Sequence, residues 1–230
     1  MLIFHHVRLH LNVLARPPVR RVLYKQVYFT ANEAAWLVAI TGFALGAIVV
    51  EQLHGQYGQS REMALRLLGS LSFVELSPLL ASLMMVARSS SAVAIELASM
   101  RVAGEVQELE RMGLSVTAYL LLPRILGMAI AAVILTATMA LASVAGGILL
   151  ASGWDASYQI LALERMLRMQ EVLLCLAKAT SFGLFAGALA CHAGFSVAMQ
   201  PSDVPKAASR AVLRGLLALF VLDLIWVIVR

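Results

Sequence analysis

The stretch from Ile125 to Ser152 contains no charged residue. A helix over that stretch, rising 1.5 Å per residue, is longer than the roughly 30 Å hydrocarbon layer of a bilayer. Four further runs resemble it. Ala34 to Val50 is uncharged, Leu67 to Ala87 carries only Glu75, Ala179 to Val197 only His192, and Gly215 to Val229 only Asp223. Hydrocarbon offers the backbone no hydrogen-bond partner, so runs of this length cross a membrane as helices. Composition supports this: 61% of the 230 residues are hydrophobic and 13% charged. That charged share is about half of what a soluble domain uses to cover its surface. The expectation is an all-α integral membrane protein with about five transmembrane helices in one domain. The spans are placed at 34–52, 65–88, 124–151, 173–198 and 211–229.

The segments between the spans carry their own signals. Residues 1–16 place Leu2, Ile3, Phe4, Val7, Leu11 and Leu14 at helical spacing among polar residues. They are too short and polar to span, so an interfacial amphipathic helix ended by Pro17 and Pro18 is expected. Arg8 interrupts the apolar residues there, which argues against a cleaved signal peptide. Residues 100–113 hold an apolar stripe of Val102, Val106, Leu109 and Met112, stopped by Gly113. The polar face of that helix carries Glu105, Glu108 and Glu110. An anionic membrane surface favours Lys and Arg instead. Docking to a cytosolic protein therefore fits, with a solvated loop as the alternative. Residues 155–171 read as a polar segment outside the membrane, after the boundary aromatics Trp154 and Tyr158.

The net charge of +5 comes from basic residues flanking the runs, without the clustered pattern that nucleic acid requires. They fall about two to one on the N-terminal side of the membrane. That side includes Arg20, Arg21, Lys25, Arg88, Arg101 and Arg124. The other holds Arg61, Arg66, Arg165, Arg168, Lys178 and Arg230. A cytoplasmic N-terminus and an external C-terminus are expected. No GxxxxGK[ST], HExxH or GxSxG sequence occurs, so those ATP-binding, zinc protease and serine hydrolase signatures are missing. Cys175 and Cys191 supply neither a disulfide framework nor a zinc motif and read as small buried hydrophobes. The chain has the character of a conduit.

Glu75 is the most informative residue. A charge at membrane depth costs about 3 kcal/mol on insertion scales and ordinarily faces a cavity or a partner. Pro78, three residues on, removes a backbone donor and frees the carbonyl of Val74, so a kinked, polar pocket is expected. Asp223 lies close enough to the C-terminus to reach the headgroups, and a structural hydrogen-bonding role is the simpler reading for it and for His192. A proton relay through Glu75, His192 and Asp223 is conceivable. Gly42 and Gly46 form a GxxxG pair that either admits a neighbouring helix or is lipid-facing filler.

Together these residues resemble the MlaE/YrbE family of ABC permeases. Glu75-Leu76-Ser77-Pro78 is similar to the family's ELGP, Ala87 to Ala92 to its ARSGSA, and Glu96 to Arg101 to its E-[IL]-G-x-M-R. Leu122-Pro123-Arg124 matches its LPR, and Gln52 resembles a family glutamine. The motifs occur in order over nearly the whole chain. Ser77, Ser90 and Ala98 replace family glycines, and Ala103-Gly104-Glu105 stands where the family has TEQ. The resemblance implies a permease pairing with a second copy in the bacterial inner membrane. It implies a cytoplasmic ATPase that binds ATP, so that this chain needs no cofactor of its own. That ATPase would dock on Arg101, Val102, Glu105, Val106, Glu108, Leu109 and Met112. It also implies a phospholipid near Glu75, Gln52, Leu76 and Pro78, passed to or from a periplasmic MCE-domain protein. Two other readings stay open: a proton-coupled carrier using Glu75 and Asp223, and a membrane scaffold that transports nothing.

Overall fold

Proline has no N–H to lose in the first turn of a helix, and its fixed φ suits that position. Pro17 and Pro18 accordingly open a helix here. The computed structural model describes residues 17–57, 75–152, 169–197 and 200–229. The interfacial helix expected over 1–16 lies outside them, as does most of the segment 155–171. Helix α1 runs from Pro17 to Tyr57, with Val19–Val49 long and apolar enough to cross a membrane. The first span thus starts well before residue 34. No Gly or Pro interrupts residues 19 to 41, so the basic stretch around Arg20, Arg21 and Lys25 continues the helix.

Helix α2 (Ser77–Met85), a π turn (Val86–Ser90) and helix α3 (Ser91–Val102) form the second span. It was expected to end at Arg88, yet Arg88 sits inside the π turn. Its guanidinium pairs with Glu33 of α1 and lies 5.7 Å from the centre of the Phe29 ring. That pairing lets a charge remain within the span.

The chain breaks at Gly104, whose φ of +79° is accessible to glycine and strained for other residues. Helix α4 then occupies Glu105–Arg111, and Gly113 (φ +73°) follows it. Arg101 and Val102 therefore belong to the end of α3. The apolar spacing runs unbroken across the turn, which is why periodicity joined them to the short helix. A π turn (Thr117–Leu121) leads into α5 (Leu122–Ser152), then come α6 (Met169–Phe195) and α7 (Val204–Val229) after a 3-10 turn at Pro201–Asp203. Met169 to Glu171 are the first turn of α6, and the basic residues Lys206 and Arg210 are helical in α7, ahead of the expected start at 211.

Five of these stretches have membrane-spanning length and apolarity, and the described residues contain no strand. Helices α5 and α6 lie centrally. Helix α1 packs along α5, and α7 packs against α3 and α6. The core includes the fully buried Met85, Leu97, Met128, Leu135, Met139 and Phe182. Small residues set the close approaches. A Cβ on Gly42 would lie 2.7 Å from the Met139 carbonyl oxygen, and one on Gly46 would run into the Ser143 backbone. The GxxxG pair is thus the α1–α5 contact. Helix α7 buries Ala207, Ala211, Gly215 and Leu219, every fourth residue, and exposes Leu217, Phe220, Leu224 and Ile228. Exposed apolar residues over a surface this wide belong against lipid.

Candidate functional site

Three charges from distant parts of the chain meet at one end of the bundle. Lys178 is in the third turn of α6, roughly 14 Å from its start at 1.5 Å per residue. Its side chain is only 4% exposed. The Nζ donates to Oε2 of Glu75 at 2.6 Å and lies 2.6 Å from Oδ1 of Asp223. The Asp223 contact is an ion pair, with Oδ1 buried. Glu75 remains 31% exposed and Asp223 21%. Glu75 precedes α2 and Asp223 lies near the end of α7, so the cluster is at the opposite end of the bundle from the start of α1.

Taking three charges into hydrocarbon costs several kcal/mol, and only mutual pairing makes it tolerable. Two further contacts hold Lys178 in place. The Phe182 ring lies 5.9 Å from its Nζ, a cation–π distance. One turn along, Trp226 Nε1 donates to Ser181 Oγ at 3.1 Å, and Ser181 donates to the Lys178 carbonyl at 2.7 Å. Helix α7 is therefore fastened to α6 by an indole and by an ion pair three residues apart. Trp226→Phe should keep the fold while loosening that fastening. A fall in apparent Tm of a few degrees, matching the loss of about 1 kcal/mol for one hydrogen bond, would be seen in detergent.

The other expected residues divide. Leu76 is half-buried next to Glu75, and Pro78 is buried in the first turn of α2. The carbonyl of Val74 lies outside the described residues. The visible irregularity is a π turn at Glu75–Leu76, the kind of widening that accommodates a proline. Gln52 is exposed near the end of α1, with no described contact to the triad. Asp223 is held by Lys178, not by the headgroup region. His192 is exposed and roughly 21 Å from Lys178 along α6, so it does not join Glu75 and Asp223 in a relay.

The charge balance counts Lys178 among the outer flanking residues, although the span placed at 173–198 contains it. Its place at the edge of an apolar run made that reading natural. The usable signal was the apolar stretch Val172–Ala177 before it, which puts the lysine inside the run.

On α4, Val106 is buried and Leu109 half-buried, and Met112, just past its end, is 66% exposed. Glu105, Glu108 and Glu110 face outward, with Arg111 bonded to Glu108 at 2.8 Å. Arg101 and Val102 are half-buried at the end of α3. Exposed charge on one short helix, with an exposed Met at its end, suits a protein contact better than burial.

Five membrane-length helices, with a charged cluster joining three of the spans, define an all-α, multi-pass integral membrane protein. Residues 23–229 match the family described as Permease MlaE, and the chain belongs to that family. It is 26% identical over 208 residues to a probable ABC transporter permease protein of Rickettsia felis, covering 88% of this chain and 80% of that one. A probable ABC transporter permease protein of Synechocystis is equally similar, with 79% of its length covered. The chloroplastic protein Trigalactosyldiacylglycerol 1 of Arabidopsis thaliana is 27% identical over 154 residues, 66% of this chain and 44% of that one.

Proposed function

We propose that the chain is the permease subunit of an ATP-driven phospholipid transporter in a bacterial inner membrane. It works as one of two paired copies, its N-terminus cytoplasmic and its C-terminus periplasmic. Lipid passes between the membrane and a periplasmic MCE-type carrier. ATP is bound and hydrolysed by a separate cytoplasmic subunit. One observation carries this reading: a buried lysine holds two carboxylates at the outer end of the bundle, with Glu75 left partly open. A zwitterionic headgroup presents an amine that suits the partly exposed carboxylate of Glu75, while Leu76, Pro78 and Gln52 border its path. The relatives' names support an ABC-type permease, and the plant relative's name is that of a galactolipid.

The test is transfer of a fluorescent phospholipid by the reconstituted complex. Glu75→Gln keeps the shape and an acceptor for Lys178 but removes the charge. It should cut ATP-dependent transfer about tenfold, the range for losing one charge-assisted contact, with assembly unchanged. Wild-type transfer by this variant would remove Glu75 from the lipid path.

The ATPase docks on α4, with Glu105, Val106, Glu108, Leu109 and Met112 as its contacts and Arg101 and Val102 supporting from α3. Leu109→Glu should abolish co-purification of the ATPase without reducing membrane insertion of the permease. Undiminished co-purification would place the contact elsewhere.

The convergence of Glu75 and Asp223 on one lysine also suits a proton-coupled carrier. Transfer that continues without ATP and stops when a proton gradient is collapsed would favour that second reading.

A further inference from the structure

At the end of the bundle where α1 begins and α3 ends, a cavity of about 280 Å³ lies between α1, α3 and the start of α5. It is lined by Val22, Lys25, Gln26 and Phe29 of α1, Ala92 and Glu96 of α3, and Arg124 of α5. We propose that this cleft is a second lipid contact, a binding site for the phosphate of a phospholipid in the leaflet opposite the Glu75–Lys178–Asp223 cluster.

Arg124 carries the argument. Its side chain is 4% exposed, so nearly the whole guanidinium is out of solvent. Nη2 pairs with Glu96 Oε1 at 3.0 Å, while Nη1 is buried with no hydrogen-bond partner. A buried cationic donor left unsatisfied is costly. A guanidinium offers a planar fork of donors that matches phosphate oxygens, so an anion in the cleft would satisfy the remaining nitrogen. Lys25 stands exposed across the opening, so two cations face the single carboxylate of Glu96 and the site keeps one net positive charge.

The surrounding chemistry selects a lipid. Lys25, Phe29 and Glu33 form one stripe on α1 at four-residue spacing, and Arg88, Ala92 and Glu96 form a facing stripe running the other way. The Glu33–Arg88 pair closes the stripe at its deep end. Toward the helix ends, Val22, Phe29 and Ala92 give apolar walls, and Phe29 is 45% exposed. The cavity is at the lower end of small-ligand pocket sizes. It holds a headgroup while the acyl chains stay in the surrounding hydrocarbon.

The inference rests on the membrane placement of the bundle and adds a contact to the transport reading without using the triad. The test uses the full chain in its complex, in nanodiscs containing phosphatidylglycerol with a photoactivatable diazirine beside the phosphate. Adducts are expected on the α1 segment Val22–Phe29 and the α3 segment Ala92–Glu96. Arg124→Met should lower their yield about tenfold, as expected for losing a charge-assisted contact. Ala92→Trp fills the cleft without touching a charge and should do the same, which decides the matter if the arginine variant fails to fold. Glu75→Gln should leave the adducts unchanged, so failure of the triad's proposed role and failure of this site read differently. Wild-type yield in Ala92→Trp overturns the proposal. Complete displacement by millimolar inorganic phosphate overturns the lipid assignment in favour of a free-phosphate site.

Discussion

Lys178→Met should remove transport altogether and destabilise the folded permease by about 3–5 kcal/mol, the usual cost of stripping one partner from a buried ion cluster. Lys178 pairs with both Glu75 and Asp223, and it is itself 4% exposed. Without it, Glu75 and Asp223 lose the cation that draws them together, and two partly buried carboxylates are left close to each other. The triple variant Lys178→Met, Glu75→Gln, Asp223→Asn removes all three charges together and should recover most of the folded yield. It should not recover transport, because the charge proposed to meet the lipid is gone. Thermal unfolding in detergent and phospholipid transfer in proteoliposomes separate the two effects. Near-native stability in the single lysine variant would show that the cluster does not hold α6 and α7 together.

Gly46→Leu should cost about 3 kcal/mol or more, at the upper end of overpacking effects, because there is no room to absorb the side chain. A Cβ at that position already meets the backbone of Ser143, and Gly146 meets the backbone of Phe43 from the other side. Backbone cannot move aside as a flexible side chain can, so α1 must separate from α5. In a membrane, where burial of apolar surface does not drive helix association, close packing of small residues is a main source of attraction. Loss of a disulfide between cysteines introduced at facing positions of α1 and α5 would report the separation. Gly104→Ala is the matched control. Nothing lies within 4 Å of its added Cβ, so only the left-handed backbone is penalised, at about 1 kcal/mol. Equal losses in both variants would mean that conformational strain, not the helix contact, governs the result.

The sequence by itself determined the class of fold. Charge-free runs of membrane length leave the backbone no option but helices that satisfy their own hydrogen bonds. The number of spans and the family motifs were readable for the same reason: both are local along the chain. Helix ends were less legible. Arg20, Arg21 and Lys25 looked like a connector because charge usually ends a span, but nothing there breaks a helix. Arg88 looked like a terminus because Glu33, its partner, is far away in sequence. The break at Gly104 was hidden beneath an apolar spacing that continued across it. The tertiary structure alone decided the site. Glu75 and Asp223 were each conspicuous as single acids in apolar runs, but their common partner is separated from Glu75 by more than a hundred residues and looked like an ordinary flanking charge. Hydropathy averages over neighbours in sequence, whereas the energy of a buried charge depends on neighbours in space.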